Sequence, residues 1–343
     1  MSFFGFTNSP IFKRRWNVFC KNKRAFYSLW IFVILFVTSM GADFIANQKP
    51  LFIYQDHRVY FPIFVSYPET TFGGDFDTEA NYNDPDVKKL LQNAFVIYPI
   101  IPYSYDTIIM DLDSPAPNSP SLKHWLGTDD QARDVSARLL YGYRISIIFA
   151  LVLSFFSVVI GVSVGALQGY YGGVLDLFGQ RFVEIWSGIP MLFLVIIISS
   201  FVAPNFWWIL ALVLIFSWMS LVGVVRAEFL RGRNMDYVKA SKALGTSDFR
   251  IIFYHILPNA LVATITYVPF IMAGSIATLT SLDFLGFGMP VGSASLGELL
   301  SQGKNNLTSP HIGIVGFMAV AILLSILVFI GEGVRDAFDS NVK

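Results

Sequence analysis

The chain has 343 residues, of which 54% are hydrophobic, 16% aromatic and only 14% charged. That balance is too apolar for an ordinary water-soluble domain and belongs in a bilayer. Twenty-four basic residues offset 24 acidic ones, so no global field favours nucleic acid, and the single cysteine, Cys20, excludes an internal disulfide framework or a thiolate metal site. His57, His124, His255 and His311 are far apart with no ligand-type spacing, so no metal is expected.

In chain order, residues 1–27 carry Lys13, Arg14, Arg15, Lys21, Lys23 and Arg24 without an acid. Six apolar runs follow, at 28–46, 144–168, 186–203, 206–225, 257–281 and 311–332. Each is near the roughly 20 helical residues that cross a bilayer core, and helices satisfy their own backbone groups there. The fold class expected is therefore an all-α polytopic membrane protein with six transmembrane helices. Arg226, Arg231, Arg233, Lys239, Lys242 and Arg250 after the fourth run, together with the basic leader, predict cytoplasmic locations for both segments and for both termini. Segment 47–143 then lies outside, between the first helix and a five-helix core at 144–332, with a cytoplasmic loop at 226–256 and a tail at 333–343. A cleaved leader is the alternative for the first run, but residues 1–27 are long for one and the run exceeds the usual apolar leader core.

The external segment is too long for a plain connection and predicts a small α/β or β-containing domain. "FIYQDHRVYFPIF" reads as two short strands about a turn, and "DLDSPAPNSPS" as an extended linker. The domain suits either a lid or docking surface for an external partner, or a decoration with no substrate contact. Gly161, Gly165 and Gly169 recur every four residues and give the second span a smooth stripe for close packing, within the chain or against a partner. Pro269 should bend the fifth span or free a carbonyl. Ser154, Ser157, Gln168, Ser199, Ser217 and Thr264 are candidates to line a hydrated path, against the commoner case of bonding to their own helix.

No phosphate-binding loop, nucleophile elbow or H-E-x-x-H pair occurs, so catalysis is unsupported. Asp43, Arg144, Arg226 and Asp283 sit near predicted span ends, not in a midplane relay, which counts against an ion-coupled secondary carrier. A membrane-anchored scaffold acting through the external domain is the other alternative.

Between the fourth and fifth runs, "DYVKASKALGTSDFRIIFYHILPN" is polar and helix-forming. Asp236, Tyr237, Ala240, Ser241, Ala243 and Leu244 fall on one short helix, Gly245 supplies its C-terminal break, and Ser247 is placed to cap a second helix toward Leu257 and Pro258. Two helices at a glycine hinge suit docking into a cytoplasmic protein or resting on the membrane surface.

This loop resembles the E-A-A-x3-G-x9-I-x-L-P segment of binding-protein-dependent ABC importers: Ala240, Gly245, Leu257 and Pro258 match, whereas Lys239, Ser241 and His255 replace its Glu, second Ala and Ile. "LGTDDQARDVSARLLYGYRIS" is similar to the L-G-T-D-x-x-G-R-D-x-x-S-R segment of C-type dipeptide and oligopeptide permeases. It keeps Leu126, Gly127, Thr128, Asp129, Arg133, Asp134 and Arg138, with Ala132 for the Gly and Ala137 for the Ser. "QGYYGGVLDLFGQRFVEIWSGIP" and "LDFLGFG" also look like that family, and the enlarged external segment resembles the Yej-type branch associated with microcin C and oligopeptide uptake. The resemblance implies the type I ABC importer permease fold, in a bacterial inner membrane. It implies a permease without its own ATPase site, paired with a homologous B-type permease, two ATP-binding domains (separate or fused in one chain) that bind ATP and Mg2+, and a periplasmic peptide-binding protein. Peptides are the implied cargo.

Overall fold

The computed structural model describes residues 10–112, 114–290 and 292–338; the start of the basic leader and the end of the tail lie outside them. Helices α1 (Pro10–Lys21) and α2 (Lys23–Met40) meet at Asn22, whose side chain caps α2 by accepting from the Ala25 amide at 3.3 Å. The first span thus begins five residues before its apolar run and stops at Met40. Gly41 ends it, and the rest of the run turns aside as the short helix α3 (Ala42–Ile45).

Beyond α3, strands β1 (Phe52–Gln55), β2 (Arg58–Tyr60) and β3 (Phe95–Ile97) form an antiparallel sheet in the order β2-β1-β3, pairing Tyr54 with Val59 and Ile53 with Val96. Asp56 and His57 close the first hairpin, both with positive φ, as a two-residue turn matched to strand twist requires. Helix α4 (Pro85–Leu90), capped by Asp84, covers the sheet, and Ile53, Phe72, Tyr82, Val87 and Leu91 form a small core of its own.

The membrane part continues with α5 (Val135–Tyr171), α6 (Gly173–Ser187), α7 (Met191–Ser199), α8 (Phe206–Ser217), α9 (Met219–Gly232), α10 (Asp236–Ala243), α11 (Asp248–Arg250), α12 (Leu257–Phe284), α13 (Leu296–Asn305) and α14 (Pro310–Phe338). Five helical stretches are long and apolar enough to cross a membrane: α2, α5, α8 with α9, α11 through α12, and α14. The remaining run, at 186–203, is not one straight helix. It is split at Gly188-Ile189-Pro190 into α6 and α7, bent by 63°, because Pro190 has no amide hydrogen to continue the ladder. By contrast, α12 runs through Pro269 as a single element, with the proline buried.

Side-chain contacts relate the ends of α2, α5, α11 and α14. Arg144 and Tyr141, near the start of α5, bond Asp43 at 2.7 and 2.8 Å, so α2 ends where α5 begins. Burial disfavours the Asp43 anion, but the hydrogen bonds from Arg144 and Tyr141 and the arginine charge outweigh it and hold the carboxyl below its ordinary value. At the other end, Asn22 donates to Asp336 at 3.4 Å, and Tyr170, at the end of α5, donates to Asp248 at 2.5 Å. Asn22, Asp336 and the loop 233–256 therefore share one end of the bundle, and the sheet domain lies at the opposite end.

Between these ends the bundle has a continuous apolar interior. Ile147 and Ala150 of α5, Ile276 of α12 and Leu323 and Leu327 of α14 pack together, and Phe149 and Leu153 pack on Ile209, Leu212 and Val213 of α8.

Candidate coupling loop and buried charge cluster

On the loop, α10 keeps Val238 buried against Tyr170, Val225, Phe229 and Ile251, and this contact is its hydrophobic anchor. Its other faces are open: Asp236, Tyr237, Ala240, Ala243 and Leu244 are exposed and Ser241 is half-buried. Gly245 takes φ +79°, its amide donates to Lys242 at 3.0 Å, and the Thr246 amide donates to Ser241 at 3.1 Å. That pair of bonds is a Schellman ending, which needs the left-handed residue that glycine supplies without a side-chain penalty.

Past the hinge the expected second helix is irregular. Ser247 occupies the cap position, but its side chain makes no capping hydrogen bond. After α11 the chain widens into a π-helical turn, Ile251–Ile256, before α12. Pro258, exposed in the first turn of α12 beside half-buried Leu257, cannot donate to the carbonyl of Tyr254, so the ladder must be re-spaced there.

The loop's most apolar surface joins Leu244, already placed on the first short helix, to Phe249, Phe253 and Tyr254, which the sequence motifs did not single out. Leu244 is 86% exposed, and Phe249, Phe253 and Tyr254 are also exposed, with the two phenylalanine rings 4.4 Å apart between centroids. The i, i+4 spacing of Phe249 and Phe253, which puts both rings on one helical face, was the available signal. Tyr170 holds this surface to α5 through Asp248, and its carbonyl accepts from Arg233 at 3.1 Å.

The glycine stripe packs within the chain. A Cβ at Gly161, Gly165 or Gly169 would lie 2.7, 2.9 or 2.5 Å from the carbonyl oxygens of Trp218, Val222 or Arg226, so α5 and α9 touch backbone to backbone. Nor do most of the candidate path-lining residues open onto a passage: Ser154, Ser157, Gln168 and Thr264 are buried between helices. Ser157 shares a 2.5 Å hydrogen bond with Ser217, and Gln168 accepts from Gln180 at 2.7 Å.

At the opposite end, residues 126–138 build a buried cluster. Leu126 packs on Val135, Leu299 and Ile312, and Gly127 turns with φ +78°. Thr128 accepts from the Asn118 amide at 2.8 Å, while its carbonyl accepts from His311 at 3.1 Å. Asp129 accepts from Arg133 at 2.7 Å and from Gln302 at 3.3 Å; Arg133 and Arg138 reach Glu298 at 3.2 and 3.0 Å. Asp134 caps α5 through the Ala137 amide and accepts from His124 at 2.8 Å. Asp129 and Arg138 are fully buried. Within the cluster Asp129 and Glu298 are matched by Arg133 and Arg138, and Asp134 is held by His124 and the Ala137 amide, so each buried ion has partners, the condition under which ions tolerate desolvation. The cluster clamps the sheet domain's exit, the start of α5 and α13 into one rigid unit.

Glu298, Gln302, His124 and His311 complete this unit without having been legible in the motif itself. Ala132, where the resembling pattern has Gly, is held at φ +59°. Among the described residues no group of three or more His, Cys, Asp or Glu is arranged to hold a metal ion.

Residues 157–343 match the family described as the binding-protein-dependent transport system inner membrane component, and residues 10–62 match the N-terminal TM domain of oligopeptide transport permease C. The chain is 57% identical, over 97% of its length and 98% of the relative, to the inner membrane ABC transporter permease protein YejE of Escherichia coli. It is 48% identical, over 96% of its length and 93% of the relative, to the peptidoglycan transport system permease protein YejE of Agrobacterium fabrum. The oligopeptide transport system permease protein OppC of Lactococcus lactis is 34% identical over 64% of the chain and 76% of the relative. Among solved structures, a chain of the inward-facing MetNI methionine ABC transporter superposes with a TM-score of 0.50 at 19% identity, covering 58% of this chain and 96% of that one, a likeness of fold.

Proposed function

This chain belongs to the family of binding-protein-dependent transport system inner membrane components, and on that premise we propose that it is the permease subunit of an ATP-driven peptide importer in a bacterial inner membrane. It forms half of a translocation pathway with a homologous B-type permease. Two ATP-binding domains, separate or fused, bind ATP and Mg2+ and dock on the loop 235–258, and a periplasmic peptide-binding protein delivers cargo at the sheet-domain end. Both chain termini are cytoplasmic, as the basic clusters at residues 13–24 and 226–250 favour.

One observation carries the coupling: an exposed apolar surface on Leu244, Phe249, Phe253 and Tyr254, next to a Schellman-ended hinge and tied to α5 by Tyr170. Closure of the ATPases moves the loop, and the rigid α5–α9 pair carries that movement through the bundle to the charge cluster. The docked ATPase must bind one loop arrangement better than the other, since only differential affinity shifts a two-state equilibrium.

The cargo proposed is oligopeptides, including microcin C-like peptide antibiotics, on the resemblance to the Yej-type branch. The Agrobacterium relative's name favours peptidoglycan-derived material as a second reading, and competition for uptake between the two cargo classes separates them. To test the coupling, Leu244→Cys in a Cys20→Ser background is to be cross-linked in membranes. The reading requires an adduct with an ATP-binding subunit that changes in yield when ATP is added. A cysteine at Leu244 that reacts with lipid-phase probes and forms no such adduct would make the loop a membrane-surface helix pair.

A further inference from the structure

We infer that the cleft between the α1–α2 junction and the last turns of α14 is a binding site for the headgroup of an anionic phospholipid. The cleft encloses about 410 Å³ and is lined by Lys21, Asn22, Lys23, Arg24, Phe329 and Glu332. Three cations thus face one carboxylate. None of Lys13, Arg14, Arg15, Lys21, Lys23 and Arg24 forms an ion pair among the described residues, so the positive charge at this junction is left for something outside the chain.

The walls are set by packing. At Gly333 of α14 a Cβ would come within 3.1 Å of the Phe19 ring, and the Arg15 guanidinium lies 4.3 Å over the Phe338 ring, so α1, α2 and α14 are in direct contact around the cleft. Asn22 is already engaged, capping α2 and donating to Asp336, which leaves the two lysines and Arg24 as the free donors.

Depth identifies the ligand's source. Trp16, Tyr27 and Trp30 are exposed around the same junction, and such amphipathic aromatics settle at the headgroup level of a bilayer. Phe329 supplies one apolar wall that continues onto the exposed surface of the α14 span, where Ile322 is also bare. A phosphodiester headgroup fits both halves, its phosphate on the cations and its acyl chains along α14. A free phosphate uses only the first half. Basic residues that merely orient a chain in the membrane require neither a cleft nor particular positions, whereas basic pockets beside spans are suited to acidic headgroups.

The test is native mass spectrometry of the full chain, extracted in mild detergent, titrated with phosphatidylglycerol or with phosphatidylcholine of the same acyl chains. Phosphatidylglycerol should bind at least roughly tenfold tighter, since each cation near an acidic headgroup contributes roughly fivefold. Lys21→Gln/Lys23→Gln should lose at least that preference, and Lys13→Gln/Arg14→Gln, with the same change of charge away from the cleft, should keep it. Glu332→Gln, which removes the one acid, should tighten phosphatidylglycerol binding, a gain that misfolding cannot imitate. Equal affinity for the two lipids, equal loss in both double variants, or no tightening in Glu332→Gln would overturn the assignment. Displacement of the lipid by millimolar inorganic phosphate would do the same, making the cleft a soluble-anion site. The readout is lipid binding and does not depend on transport.

Discussion

Tyr170, in the last turn of α5, donates a 2.5 Å hydrogen bond to the carboxylate of Asp248, the first residue of α11. The residues are 78 positions apart, and their contact joins the loop to the helix that also carries the glycine stripe and, at its far end, the charge cluster. A displacement of the loop therefore has a direct route into the bundle. Tyr170→Phe should weaken this joint by about 1.5 to 3 kcal/mol, the range for a hydrogen bond to a charged group. The chain should still insert, and peptide-stimulated ATP hydrolysis by the assembled complex should fall several-fold. Unchanged stimulation would mean that coupling bypasses Tyr170.

The hinge itself is the second point of attack. Gly245 has nothing within 4 Å of where a Cβ would stand, so a substitution there is penalised by its φ of +79° and not by crowding. Gly245→Val should cost about 1 to 2 kcal/mol locally and redirect α10. Copurification of the ATP-binding subunit should drop while membrane abundance of the chain stays normal. Ala240→Arg, on an exposed face, should act in the same way through bulk and charge, and Lys242→Ala should be mild.

The buried cluster predicts a difference between single and paired substitutions. Arg138→Leu leaves Glu298 and Asp129 short of a counter-ion and should destabilise the chain by roughly 3 to 5 kcal/mol. Arg138→Leu/Glu298→Leu removes one charge of each sign and should recover a large part of that loss. Thermal unfolding in detergent measures both, and additive losses in the double variant would show that the pair acts through packing alone.

At Ala132 the sign is reversed. Its φ of +59° is a conformation that costs an L-residue about 1 to 2 kcal/mol, while a glycine there loses about 0.4 to 1 kcal/mol through unfolded-state entropy. Ala132→Gly should therefore raise the unfolding midpoint slightly, and a lowered midpoint would mean that the alanine methyl makes up the difference by contact.

Much of this architecture was legible because apolarity has a length and turns have a local chemistry. The six apolar runs, the hairpin around Asp56 and His57, and the glycine stripe all express local periodicity or local turn chemistry. The break at Gly188-Ile189-Pro190 was not, because the run stays apolar on both sides of the proline and hydropathy does not sense direction. Glu298 and Gln302 escaped notice for another reason. Their partners Arg133 and Asp129 lie 165 and 173 positions away, and only the packed bundle brings them together. The π-helical turn before Pro258 similarly reflects the loss of one amide donor, which a helical pattern read by side chains alone does not register.

Orientation has its own test. In a Cys20→Ser background, cysteines at Asn22 and Arg233 should resist an impermeant thiol reagent applied to the outside of spheroplasts, and one at Asp84 in the sheet domain should react. Asn22 and Arg233 share one end of the bundle through Asp336 and Tyr170, so they must give the same result. Labelling of one without the other would break the span order described above.

The proposed function is that this chain conducts peptides and that partners bearing ATP sites drive it. Its most direct measurement is labelled-peptide uptake into proteoliposomes that contain the purified chain with its B-type permease and ATP-binding partners, with the peptide-binding protein outside and nucleotide inside. Uptake should require ATP with Mg2+, persist when ionophores collapse every ion gradient, and vanish when the ATP-binding partners are omitted, with no ATP turnover by the chain alone. Uptake that follows an imposed proton or sodium gradient without ATP, or ATP hydrolysis by a homogeneous preparation of this chain, would contradict the account.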